Sequence, residues 1–225
     1  MYALAASAAG VGVLALVQPT EAKIVYTPAH RHILFHHPLG LDLNRDGIVD
    51  FRISRHRFYD TQSAYATAVS AEGASQQNNV AGLPGFTYNS NYYASAYALR
   101  GGRQIGPKLH FPRPSPSNGL MGVKWGLGGG IYKCFRPWNN VKNRYLGLQF
   151  AIKGKIHYGW ARLNEFCNPS GGPGTGAEAL LTGYAYETIP NKPIVAGRTK
   201  GPDVITVESG SLGRLARGSA GRSEK

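Results

Sequence analysis

The sequence has few acidic residues and almost no cysteine. It contains 12 Asp and Glu residues against 25 Lys and Arg, with two cysteines in 225 residues. Two cysteines exclude a zinc site held by four thiolates. The chain also lacks G-x-S-x-G, H-E-x-x-H and a recognisable Cys/His pairing, so we predict no catalytic residues and expect the protein not to be an enzyme.

Helix signals are scarce after residue 22, whereas Gly (30) and Tyr (13) are abundant, as is typical of short strands joined by turns. The clearest folding signal is the stretch Asn143–Leu163. Its large apolar residues alternate with small or polar ones, are interrupted at Gly154, and then alternate again, which indicates a β-hairpin with one buried face. The sequence therefore predicts an all-β fold, an antiparallel β-sandwich or jelly-roll-like single domain with long loops.

Composition divides the chain into a signal peptide at 1–22, a β-domain at 23–197 and a disordered tail at 198–225. Ala3–Val17 is an apolar run of small residues, too short for a good membrane span, and a small-residue cleavage pattern ends at Ala22. We therefore expect export to the cell surface or medium, with no transmembrane span in the mature chain. An ordinary N-terminal helix is the alternative.

The two cysteines flank the predicted hairpin. In an exported protein such a pair most simply forms a disulfide, so Cys134 and Cys167 are expected to close the base of the hairpin. The chain-entropy model gives such a bridge roughly 3–4 kcal/mol of stabilisation. Two free buried thiols are the alternative.

One loop has the residue types and spacing of a calcium site. The predicted ligands, at loop positions one, three, five, seven (through its carbonyl) and nine, are Asp42, Asn44, Asp46, Ile48 and Asp50. Calcium prefers six to eight oxygen ligands, and Gly47 permits the sharp turn that brings these positions together. Because Ile53 replaces the glutamate of an EF-hand, we expect a structural Ca²⁺ ion between strands. A solvated turn that binds nothing is the alternative.

Aromatic and histidine side chains supply the other candidate sites. Tyr92, Tyr93, Tyr97 and Trp160 would form a carbohydrate-binding surface on a sheet face, although such residues more often pack against small side chains. A further interpretation places His30, His32 and His36 on one strand face as zinc or copper ligands. The best acid–base pair for a hydrolase is His157 with Glu187.

The charge balance indicates the kind of partner. The formal net charge is +13, with basic residues spread along the chain, no compact Lys/Arg run and no nucleic-acid-binding motif. This favours non-specific contact with anionic polysaccharide or cell-surface components and argues against specific nucleic-acid recognition. Uncovered polar strands would also permit self-association.

Three blocks in the last third of the chain resemble a segment of many exported bacterial proteins of the PEP-CTERM type. The matching positions are Tyr145, Gly147, Phe150, His157, Tyr158, Gly159, Trp160, Arg162, Ala185, Tyr186, Glu187 and Ile194 to Gly197. In the tail, SLGRLARGS is similar to a remnant of the apolar sorting helix, without the Pro-Glu-Pro box and arginine cluster. The resemblance implies a surface or exopolysaccharide-matrix protein with no assigned reaction.

We therefore expect a non-catalytic secreted or cell-surface β-domain, a structural or adhesive matrix component stabilised by Ca²⁺. A carbohydrate-binding module is the alternative, and a polysaccharide hydrolase is the least favoured.

Overall fold

A computed structural model describes residues 23–59, 65–83, 86–88, 91–112, 118–126, 131–135, 137–170 and 176–201. The expected signal peptide at 1–22 and most of the expected tail lie outside the described residues. In the described ranges all regular elements are strands, which confirms the all-β prediction. No described segment is a helix of the length and apolarity needed to cross a membrane.

The described chain forms fourteen strands. In order, they are β1 (Ile24–His32), β2 (Leu39–Leu41), β3 (Phe51–Tyr59), β4 (Tyr65–Gly73), β5 (Asn79–Val80), β6 (Phe86–Tyr88), β7 (Asn91–Ser95), β8 (Gln104–Ile105), β9 (Asn118–Gly126), β10 (Tyr132–Phe135), β11 (Val141–Ile152), β12 (Lys155–Cys167), β13 (Ala177–Glu187) and β14 (Ile194–Val195).

Sheet I has the order β1-β13-β12-β11-β5 and contains the predicted hairpin. β11 and β12 pair antiparallel, with Leu148 opposite Gly159 and Phe150 opposite His157. The loop residues Lys153 and Gly154 have φ values of 49° and 75°, the left-handed conformations that a two-residue hairpin turn requires. The alternation in the sequence thus identified both strands and their turn.

Sheet II has the order β2-β3-β4-β9-β7-β6, and β10 also pairs with β9. β3, β4 and β9 form its continuous antiparallel centre. β7 runs parallel to the start of β9, whereas β10 folds back antiparallel on its end. Residues 33–38 cross from β1 of sheet I to β2 of sheet II.

The two sheets share one hydrophobic core. Phe51 of β3 and Phe150 of β11 meet edge to face across it, with ring centroids 6.3 Å apart. Ile53, Leu148 and Trp138 are also buried there. Burial of each such side chain contributes about 1.5–3 kcal/mol. Two antiparallel sheets joined by a common core confirm the β-sandwich prediction.

A small third layer covers the outer face of sheet I. β8 and β14 pair with each other, and Ile105 and Ile194 from these strands pack with Tyr145 and Trp160 of sheet I. Sheet I is therefore covered on both faces along the central hairpin, which explains why both faces of β12 are largely buried.

Candidate functional site

The predicted calcium loop lies between β2 and β3 and is folded around its own carboxylates. The two oxygens of Asp42 accept hydrogen bonds from the main-chain N–H groups of Asp46 (3.2 Å) and Gly47 (2.9 Å). Asp46 in turn accepts one from the N–H of Ile48 at 2.9 Å. Arg45 and Gly47 have φ values of 59° and 86°, so the sharp turn predicted from the sequence is present.

Asn44 and Asp46, at loop positions three and five, are in direct contact. Nδ2 of Asn44 donates to Oδ2 of Asp46 at 2.8 Å. This bond, followed by that from the Ile48 N–H, lowers the pKa of Asp46, which therefore stays ionised at neutral pH. Oδ1 of Asn44 is buried without a hydrogen-bond partner in the described chain, the situation of an amide oxygen that serves as a cation ligand.

Asp50 is the last residue of the loop and lies at its buried end. Its side chain is 5% exposed, and Oδ2 accepts a hydrogen bond from the N–H of Leu43 at 2.8 Å. Burial, together with the smaller effect of the charges of Asp42 and Asp46, raises the pKa of Asp50 to about 6 despite the hydrogen bond from Leu43. A divalent cation would offset both the desolvation and the mutual repulsion.

The donor set fits calcium chemistry. Three carboxylates, one amide oxygen and the carbonyl of Ile48 supply hard oxygen ligands, and a carboxylate oxygen that accepts one N–H bond retains a lone pair for an ion. Within the described residues, no three His, Cys, Asp or Glu side chains already converge as a metal-binding group. The backbone turn is formed, and the carboxylates of Asp42 and Asp46 accept hydrogen bonds from main-chain amides of the loop.

Cys134 and Cys167 form the predicted disulfide, with Cα atoms 6.2 Å apart. The bridge does more than close a hairpin, because Cys134 lies on β10 of sheet II and Cys167 ends β12 of sheet I. It therefore links the two sheets. The turn beside it is tied to the same strand, since the N–H of Cys167 donates to Oδ1 of Asn140 at 2.9 Å.

Glu165 lies two residues before this bridge and is 2% exposed. Its Oε2 accepts a hydrogen bond from the N–H of Asn140 at 3.2 Å, whereas Oε1 has no partner in the described chain. Burial raises the pKa of Glu165 to about 8. The carboxyl group occupies the space where a Cβ of Gly122 on β9 would lie. No motif in the sequence indicates a role for Glu165.

The proposed acid–base pair of His157 and Glu187 does not form between side chains. Nδ1–H of His157 donates to the main-chain carbonyl of Glu187 at 3.0 Å. The carboxylate of Glu187 instead accepts from the N–H of Ile189 at 3.1 Å and lies 3.4 Å from Nζ of Lys192. Both side chains hold the end of β13 and the turn after it, which corrects the suggested catalytic pairing.

The predicted aromatic binding surface is corrected for Trp160. Trp160 is fully buried on the outer face of sheet I, with its ring centroid 5.8 Å from Tyr26 and 5.2 Å from Tyr145. Tyr97 packs partly buried against the same cluster. Tyr92 and Tyr93 lie on β7, and their side chains fall outside what the structure describes. Trp160 is therefore a core residue, because the β8–β14 layer covers it.

The block that resembles PEP-CTERM proteins contributes heavily to this packing. Gly197, at its end, has φ +89°, and a Cβ there would lie 2.8 Å from Oη of Tyr145. A Cβ on Gly183 would lie 2.8 Å from Oη of Tyr26. These two glycines allow tyrosine rings to approach the backbone closely.

Five of the seven histidines lie in or beside the segment that joins the two sheets, a stretch whose histidines offered an alternative metal site in the sequence. We call it the histidine corner: His30, His32, His36, His37 and His56, at the crossover between the sheets. The rings of His30 and His32 are 6.0 Å apart. Beside them, the guanidinium carbons of Arg55 and Arg57 lie 3.8 Å and 4.6 Å from the ring centroid of Phe35. The pattern HRHILFHH followed by FRISRHRF was the available signal.

Comparisons of the chain with protein-family models, with curated proteins and with solved structures found no significant match. The resemblance to PEP-CTERM proteins therefore stays a prediction.

Proposed function

We propose that this protein is a non-catalytic structural or adhesive β-domain of the cell surface or extracellular matrix, stabilised by Ca²⁺ at the Asp42–Asp50 loop. The observation that carries the proposal is the set of hydrogen bonds that four buried polar side chains form. Asp50, His157, Glu165 and Glu187 each hydrogen-bond to main-chain groups of turns and strand ends. Groups used in this way hold the fold together.

The disulfide supports an extracellular location. Disulfides persist in oxidising compartments and are rare where thiols are kept reduced. The bridge joins the two sheets, where it resists their separation. A matrix component benefits from such a link because it must stay folded outside the cell.

Calcium supplies the second stabilising device. Without a cation, burial and the charges of Asp42 and Asp46 both raise the pKa of Asp50. A cation bound to the folded state alone stabilises it by mass action, by about 2.7 kcal/mol at 100 times its dissociation constant. For a domain of this size that corresponds to a rise in Tm of about 5–10 °C.

The test is a thermal melt of the folded protein in CaCl₂ and in EGTA. We expect a higher Tm in calcium for the parent and no calcium response for Asp42→Asn/Asp46→Asn. Glu72→Gln is the matched control, because it removes a carboxylate outside the loop and keeps the response. An identical Tm for the parent in both buffers would remove calcium from the proposal. Polysaccharide turnover that disappears in Glu187→Gln would remove its non-catalytic part.

A further inference from the structure

One buried side-chain amide connects the predicted calcium loop to sheet I. Asn78 lies in the turn between β4 and β5 and is 5% exposed. Its Nδ2 donates to the main-chain carbonyl of Asp50 at 2.9 Å, and its Oδ1 accepts from the N–H of Ala151 at 3.3 Å. Asp50 directly precedes β3 of sheet II, whereas Ala151 belongs to β11 of sheet I. The amide of Asn78 therefore bridges the two sheets at the end of the loop.

The main chain of Asp50 is held by three hydrogen bonds. Its N–H donates to the carbonyl of Leu41 at 2.8 Å, and its carbonyl accepts from the N–H of Ala74, also at 2.8 Å. Asn78 supplies the third bond, and it is the one of the three that comes from a side chain. Because Asp50 is the buried ligand of the proposed calcium site, these bonds determine where its carboxylate lies.

The turn that carries Asn78 is closely packed. The N–H of Asn78 donates to the carbonyl of Ser75 at 3.2 Å, and the N–H of Gln77 donates to Oγ of the same serine at 3.3 Å. A Cβ on Gly73, the last residue of β4, would overlap the main-chain carbonyl of Asn78. The turn therefore fixes the position from which the amide reaches both sheets.

Ala151 lies on the outer edge of β11, which several segments cover in turn. β11 has 12 residues, whereas its outer neighbour β5 has 2. Farther along the edge, the N–H of Tyr145 donates to the carbonyl of Leu99 at 2.9 Å, and the reciprocal bond is 3.0 Å long. The side chain of Asn78 satisfies the N–H of Ala151 in the same way. An edge group that loses its partner becomes available to another strand.

We propose that Asn78 is a positioning residue for the calcium ligand Asp50, and that it couples calcium binding at the loop to closure of the β11 edge at Ala151. The proposal rests on the calcium site proposed above and assigns its regulation. Groups that orient a metal ligand change metal affinity by about 10–100-fold when they are removed. Coupling is reciprocal, so a bridge that favours the calcium-binding position of Asp50 is itself stabilised by calcium.

The first measurement is calcium affinity, by isothermal titration calorimetry of the parent, Asn78→Ala and Asn79→Ala. Asn79→Ala is the matched control, because Nδ2 of Asn79 donates to Oε1 of Gln149 on sheet I, at 3.3 Å, and not to the loop. We expect Asn78→Ala to bind calcium about 10–100-fold more weakly than the parent, and Asn79→Ala to bind it like the parent. A purely structural bond would lower the Tm of Asn78→Ala and leave its calcium affinity unchanged.

The second measurement needs no substitution, so it decides the question even if Asn78→Ala does not fold. Amide hydrogen exchange of the parent, followed by NMR in CaCl₂ and in EGTA, compares the N–H groups of Ala151 and Tyr145 on the same edge of β11. Calcium that stabilises the whole domain slows exchange of both amides equally. Coupling through Asn78 slows exchange at Ala151 about fivefold or more beyond that at Tyr145.

The proposal is overturned if Asn78→Ala binds calcium as tightly as the parent, or if calcium slows exchange of the two amides equally. Either result, with calcium bound by the parent, leaves the calcium site standing and excludes the role of Asn78. A parent that binds no calcium removes both the site and the coupling.

Discussion

The carboxyl group of Glu165 accepts a hydrogen bond from the main-chain N–H of Asn140 at 3.2 Å, in the core and beside the disulfide that joins the two sheets. Because Glu165 is 2% exposed, its charge is poorly solvated. Its protonation state therefore affects the stability of the interface between the sheets.

This relationship predicts that stability falls as the pH rises. Burial raises the pKa of Glu165 from its ordinary value of 4.5 to about 8 in the folded protein. A raised folded-state pKa contributes stability that is fully present below pH 4.5 and is lost as the pH rises through about 8. The slope is at most about 1.4 kcal/mol per pH unit. Urea denaturation at several pH values between these limits measures it.

Glu165→Gln provides the comparison for this pH dependence. The amide keeps an oxygen that accepts the Asn140 N–H and cannot ionise, so the variant is expected to be less pH-dependent and more stable than the parent above about pH 8. Glu72→Gln, outside the core, keeps the slope of the parent. A Glu165→Gln variant with the same slope as the parent would assign the pH dependence to another group.

Loss of the disulfide is expected to weaken the whole sandwich. Cys134→Ser/Cys167→Ser removes a bridge that spans 33 residues and joins β10 to β12. The chain-entropy model gives a loss of about 3–4 kcal/mol. Equilibrium urea denaturation measures the difference. A change below about 1 kcal/mol would show that the unfolded chain is already restricted or that the bridge strains the native state.

The hairpin was predictable because it depends on a local residue pattern, and the disulfide because the chain has two cysteines. Strict alternation over Leu146, Leu148 and Phe150 specifies a strand, although the structure covers both of its faces and not one, and Gly154 specifies the turn. Two cysteines permit one pairing. The turn between Asp42 and Asp50 was predictable for the same reason, since the hydrogen bonds that the side chains of Asp42, Asp46 and Asp50 accept join residues no more than seven positions apart.

The role of Trp160 was not predictable from the same kind of pattern. Alternation places its side chain on one face of β12, but the layer that buries it comes from β8 and β14, which are distant in sequence. The same holds for Glu165, whose contact with Gly122 joins two sheets. The histidine corner likewise depends on a crossover in which the N–H of His36 donates to the carbonyl of Arg55, the residue before His56.

Gly197 and Gly154 offer a matched pair for testing the packing of the PEP-CTERM-like block. Both have left-handed backbones, with φ of 89° and 75°, but a Cβ at Gly154 meets nothing within 4 Å, whereas one at Gly197 lies 2.8 Å from Oη of Tyr145. Gly154→Ala therefore reports backbone strain alone, about 1 kcal/mol. Gly197→Ala adds a clash of about 1–3 kcal/mol. Tyr145→Phe relieves part of it, because the hydroxyl is removed while Cζ stays 3.1 Å away. Equal losses in thermal melts of the two alanine variants would contradict the close approach.

Asp50→Asn is expected to raise stability in EGTA and to reduce the stabilisation that calcium provides. In EGTA at about pH 8, the introduced amide keeps an oxygen for the Leu43 N–H and removes a buried charge that Asp42 and Asp46 repel, so stability rises by about 1–2 kcal/mol. In calcium the same substitution removes a ligand, so the cation stabilises the variant less than the parent. Thermal melts of the parent and of Asp50→Asn, each in calcium and in EGTA, give the four Tm values that this comparison needs. If calcium raises the Tm of Asp50→Asn as much as that of the parent, Asp50 is not a calcium ligand. The melts in EGTA would still measure how much the buried charge of Asp50 destabilises the fold.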